Sequence, residues 1–136
     1  MLKIKLPEKL ELEYDSINKE FEILRNKYNP EKDLFIPNNK KLTKRIIEFI
    51  IKAIDYAIAN YDKINVPEYQ AFLKYYEFNF LYGPDGDNMS YLDFDENSLD
   101  GQPLKEFCWE LDEDIIVPIK KLKEIRLKYS QVLARF

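Results

Sequence analysis

Histidine is absent from this chain of 136 residues, and cysteine occurs once, at Cys108. The lack of histidine removes the commonest general base, every Ser–His or Cys–His nucleophile pair, and zinc sites that use imidazole. A single cysteine can build neither an intramolecular disulfide nor a thiolate zinc site, and such scarcity suits a reducing compartment. Long apolar runs are also missing. The richest, Ile46 to Ile58, is broken by Glu48, Lys52 and Asp55, which excludes it as a membrane span. Residues 1–7 alternate apolar and charged side chains with no continuous apolar stretch, so no secretory signal is expected. From these absences the expectation is a soluble, cytoplasmic, non-enzymatic protein with no cofactor.

What the chain does have is acid, gathered in one place. From Glu77 to Asp114 there are 12 carboxylates and a single cation, Lys105, a net charge of −11. Residues 1–76 carry +2 and residues 115–136 carry +5, so the overall −4 hides the concentration. Charge asymmetry of this kind concerns partners more than fold. The acidic stretch is interleaved with aromatics (Tyr75, Tyr76, Phe78, Phe80, Tyr82, Tyr91, Phe94 and Trp109), most of them expected in the core.

Composition fits one domain over 1–136, because 46% apolar and 34% charged residues are a globular balance. The fold is expected to be mainly α, a compact helical domain about a central buried helix at about 40–62. That segment is apolar over most of its circumference, with a narrow polar strip of Arg45, Glu48, Lys52, Asp55 and Asp62. Glu48 and Lys52 stand four apart in the favourable order for a pair. Flanking helices are expected at 16–28, where Asp15 or Ser16 can cap, at 67–76 or longer, at 103–116 and at 118–135. In the last, Leu122, Ile125, Tyr129, Val132 and Phe136 step three, four, three and four. Pro118 either kinks or starts that helix. Residues 2–14 show two short alternations that read as strands or an extended arm. At Tyr76 the period changes to two, so a small β-hairpin at 77–95 is possible, with a longer helix to 82 or an α+β domain as the alternatives.

If 106–114 is helical, Glu106, Glu110 and Asp114 are successive like-charge neighbours, each pair costing about 0.2–0.5 kcal/mol. Asp112, Glu113 and Asp114 add to this near a helix C-terminus, where anions are disfavoured. Something offsets the repulsion. The plainest candidates are solvent and Lys120, Lys121, Lys123, Lys128 and Arg135 of the final helix, which a hairpin about Pro118 brings close. Those five cations leave most of the acid unpaired, which points to a basic protein partner. The residues expected to meet that partner are Asp85, Asp87, Asp93, Asp95, Glu106, Trp109, Glu110, Asp112, Glu113 and Asp114, with Trp109 as the aromatic anchor.

Other chemistries fit less well. A calcium loop starting at Asp93 matches at its first, third and fifth positions, then meets Ser98 where glycine is needed and Leu104 where glutamate is needed. No metal site is expected, although a divalent-metal enzyme built on Asp93, Asp95, Glu106 and Glu110 is an alternative, as is a structural subunit of a larger assembly. A di-iron bundle in its usual form needs Glu-x-x-His pairs. Cys108 sits among Glu106, Glu110 and Asp112, which raise a thiol pKa, so a buried structural role is expected. The loop 83–88 lacks the Gly-Lys-Ser/Thr ending of a phosphate cradle. The Lys40, Lys41, Lys44 and Arg45 cluster reads as a solubilising first turn, and nucleic acid is not an expected partner. In general character (short, acidic, aromatic-rich, without catalytic motifs) the chain is similar to small bacterial inhibitor or immunity proteins. The similarity lies in character and not in motif, and it carries no residues across. It implies a neutraliser of a toxin or nuclease.

Overall fold

A computed structural model describes residues 7–27, 40–63, 66–83, 88, 92 and 117–136. Four helices make up these residues: α1 (Glu8–Lys27), α2 (Lys40–Ala59), α3 (Val66–Leu81) and α4 (Ile119–Leu133). No strand occurs among them, and the mainly α reading stands. None of these helices is long and apolar enough to cross a membrane.

The central position of α2 follows from its sequence. Leu42, Ile46, Ile47, Phe49, Ile50, Ile51, Ala53, Ile54 and Ala57 are all buried, and α2 packs against α1, α3 and α4. Apolar residues on nearly every side demand a neighbour on nearly every side. The polar strip then links α2 outward. Arg45 reaches α1, donating to Glu13 at 3.2 Å and to Ser16 Oγ at 2.8 Å, with Glu20 at 3.8 Å. Asp55 takes a two-pronged contact from Arg126 of α4, including Nη2 to Oδ2 at 3.2 Å. Arg45 is thus a clamp as well as part of a solubilising turn. Glu48 lies 4.0 Å from Lys44, on the opposite side from the expected partner Lys52.

The seam expected on α4 forms. Leu122, Ile125, Tyr129 and Val132 are buried, and Phe136 packs partly against them. Pro118 starts this helix: it is extended (φ −69°, ψ 158°), and its carbonyl accepts the first helical bond from Leu122 at 3.1 Å. The entry to α4 is pinned at Val117, whose N–H donates to Gln70 at 3.1 Å and whose carbonyl accepts from Tyr61 at 2.8 Å.

Two expectations need correction. First, α1 begins at Glu8, so residues 8–14 are helical, and Asp15 and Ser16 lie inside the helix instead of capping it. The Pro7 carbonyl accepts from Leu10 and Glu11 at 2.9 and 3.2 Å, which starts the helix where proline is harmless. Glu8 and Glu11 in the first turn and Arg25 and Lys27 in the last also suit the helix dipole. Second, residues 77–81 belong to α3, which is the longer-helix alternative and removes the first strand of the hairpin. The buried positions Tyr69, Leu73, Tyr76 and Phe80 step four, three and four, while Phe78 is 51% exposed. The alternation of aromatics was real, but helical spacing decides which of them face inward. The helix expected at 103–116 and Cys108 lie outside the described residues.

At its end α3 is closed by a glycine turn. Gly83 has φ +64°, and its N–H donates to the Asn79 carbonyl at 3.0 Å. Asn88 folds back over the turn and donates its side-chain amide to the same carbonyl at 3.0 Å. A Cβ on Gly83 would sit 2.5 Å from that amide, so both conformation and space require glycine here.

Candidate interaction site

The ten residues expected to meet a partner, Asp85, Asp87, Asp93, Asp95, Glu106, Trp109, Glu110, Asp112, Glu113 and Asp114, all lie outside the described residues. Of the −11 segment, Glu77 is described, and it is no part of an acidic surface. Its side chain is buried and accepts a hydrogen bond from the Tyr129 hydroxyl, tying α3 to α4. Removing it leaves residues 78–114 with 11 carboxylates against Lys105, a net −10. Among the described residues no group of three or more Asp, Glu, Cys or His gathers to hold a metal.

The described residues do form a polar groove that sequence reasoning missed. Its volume is about 260 Å³, and it runs between α1 and α3, lined by Tyr14, Asn18, Glu22, Arg25, Tyr75, Asn79 and Asn88. Helical spacing puts them there. Tyr14, Asn18 and Glu22 are four apart on α1, and Tyr75 and Asn79 are four apart on α3, so each set forms one row along its helix. Beneath them Tyr14 belongs to an aromatic cluster. Its ring lies 4.9 Å from Tyr76 and 5.3 Å from Phe80, and Phe49 of α2 meets those two edge-on at 5.2 and 5.4 Å.

The floor of the groove is a hydrogen-bond network. The Asn79 side-chain amide donates to the Tyr14 hydroxyl at 2.8 Å and to Asn18 Oδ1 at 3.4 Å. Tyr14 donates to the Tyr75 hydroxyl at 3.5 Å. Burial first, and then the bond with Tyr75, push the Tyr14 phenol above the ordinary tyrosine range. It is a neutral hydroxyl throughout physiological pH. At one end Arg25 donates to Asn88 Oδ1 at 2.7 Å and lies 5.9 Å from the centre of the Phe21 ring. Held this way, Arg25 makes no ion pair with Glu22, three residues away on the same helix. Two large aromatics on α3 are also exposed, Tyr75 at 53% on the groove wall and Phe78 at 51% one turn on.

A second groove, about 370 Å³, is lined by Glu20, Lys41, Leu42 and Arg45. Its charged groups are largely spent on one another, since Arg45 already contacts Glu13 and Glu20. No protein-family model, no curated protein and no solved structure matches this chain.

Proposed function

We propose that this chain is a non-enzymatic binding protein that presents an acidic, aromatic surface to a basic protein partner, in the manner of an inhibitor or immunity protein. The observation that carries the reading is the charge of residues 78–114, where 11 carboxylates face one lysine. Such a density raises the rate of encounter with a cationic surface and rejects anionic ones. Supporting it, the segment follows directly on α3, the helix that leaves Tyr75 and Phe78 exposed. Aromatic faces beside carboxylates suit Lys and Arg, which take ionic and cation–π contacts together.

The test is a salt-dependent capture experiment. Wild-type bait is compared with the Asp112→Asn, Glu113→Gln, Asp114→Asn triple variant, with lysate of the source cells as prey. The reading expects a basic protein that is held at low salt, released at high salt and held more weakly by the variant. Capture that is indifferent to both salt and substitution overturns it.

A further inference from the structure

The α1–α3 groove has a spacing that matches a particular kind of ligand. Along α1, Tyr14, Asn18 and Glu22 recur every four residues, a rise of about 6 Å per step. An extended peptide repeats every two residues at about 6.6 Å. A row of side chains on such a helix therefore meets successive peptide groups that point the same way. The row from Tyr14 to Glu22 spans about 12 Å, enough for about three to four extended residues.

The chemistry of the row agrees with the spacing. Asparagine offers one donor and one acceptor side by side, as a peptide group does. In the network above, Asn79 uses its amide N–H groups and Asn18 its carbonyl oxygen. The Asn79 side-chain oxygen has no partner among the described residues, and the Asn18 amide nitrogen, which bonds the Tyr14 hydroxyl through one N–H, has a second N–H to offer. One free acceptor on α3 and one free donor on α1 thus stand on opposite walls of one groove. Glu22 continues the α1 row with a carboxylate unpaired among the described residues, and Tyr75 offers a half-exposed ring on the opposite wall.

We infer that this groove binds an extended peptide segment of a partner protein, gripping its main chain through Asn18 and Asn79 and taking a Lys or Arg side chain at Glu22 and Tyr75. This rests on the proposed recognition of a basic partner and adds where and in what conformation that partner is held. Main-chain hydrogen bonds supply affinity, and the side-chain position next to Glu22 supplies preference. Phe78, exposed one turn beyond Tyr75, extends the apolar contact.

The test uses the full chain and a phage-displayed library of short randomised peptides selected at low salt. Affinities of the selected peptides are then measured for wild type, Asn18→Ala, Glu22→Gln and the Asp112/Glu113/Asp114 triple variant, each first shown to melt like wild type. The inference expects peptides that carry Lys or Arg and bind Asn18→Ala roughly tenfold more weakly, the loss of one hydrogen bond. Glu22→Gln should relax the preference for the cation. A copy of the best peptide with N-methylated main-chain amides should also bind more weakly. Failure to select any peptide overturns the inference, and so does affinity that ignores Asn18→Ala, Glu22→Gln and N-methylation. The acidic-surface reading fails separately, when the triple variant leaves association rate and salt dependence unchanged.

Discussion

Helices α4 and α3 each bring one face to α2, yet their outer edges are built differently. At α4 the seam is closed: Leu122, Ile125 and Val132 are buried, the buried Tyr129 has its hydroxyl on Glu77, and Arg126 and Asp55 pair on the outside. At α3 the inner face is equally dry, with Leu73, Tyr76 and Phe80 buried, but its junction with α1 opens into the groove of Tyr14, Asn18, Glu22 and Asn79. The difference is chemical. Side chains without polar atoms gain by closing over one another. Amides and phenols need partners: Tyr129 and Tyr69 find theirs inside, at Glu77 and the Ala53 carbonyl, whereas the groove residues keep polar atoms at the surface. The α2–α4 seam is therefore closed, while the α1–α3 junction keeps polar side chains within reach of solvent.

That contrast gives an ordered set of outcomes. The largest effect belongs to Ile125→Ala, which opens a cavity in the closed seam and should cost about 2–5 kcal/mol in denaturant unfolding. Next is Tyr129→Phe, which takes a donor from the buried Glu77 carboxylate and should cost about 1–3 kcal/mol. Glu77→Gln, which removes the charge but keeps the shape, should be milder. Gly83→Ala follows at about 1–2 kcal/mol, since alanine at φ +64° is strained and its Cβ displaces the Asn88 amide. Circular dichroism melts of these variants check the order. The smallest effect is Arg126→Ala at about 0–1 kcal/mol, because both partners of that surface pair are more than one-third exposed.

A pH series tests the buried phenols. Burial raises Tyr14, Tyr69 and Tyr76 above the ordinary tyrosine range. A group whose folded pKa is raised contributes fully below its unfolded value and loses that contribution as pH rises towards the folded one. Stability should therefore hold level to about pH 10, the unfolded tyrosine value, and fall above it. Tyr69→Phe removes one such phenol, the donor to the Ala53 carbonyl, and should flatten the decline in melting temperature.

The seam was far more legible in the sequence than the groove. In α2 and α4 the apolar residues recur at helical spacing with charges between them, so the buried face could be read directly. In α1 the same signal was present, since Leu10, Tyr14, Ile17 and Phe21 step four, three and four. It was masked by Leu12, which is 62% exposed and makes the stretch look like a strand. In α3 the exposed Phe78 and the buried Glu77 inverted the usual correspondence between residue type and environment, and suggested a hairpin where a helix forms. The groove had almost no signal. Its residues come from segments some 60 positions apart, as Asn18 and Asn79 do, and neither asparagines nor tyrosines form a motif. The four-residue step from Tyr14 to Asn18 to Glu22 was the one local clue, and it gains meaning only when α3 is laid beside it.

The most direct measurement determines unfolding free energy and peptide affinity on the same two proteins, Ile125→Ala and Asn18→Ala. Ile125→Ala should lose several kcal/mol of stability and, well below its melting point, keep wild-type affinity. Asn18→Ala should keep its stability to within about 0.5 kcal/mol and lose roughly tenfold in affinity. If Asn18→Ala destabilises the fold as much as Ile125→Ala, or binds peptide as well as wild type, the division between a stabilising seam and a recognising groove is contradicted.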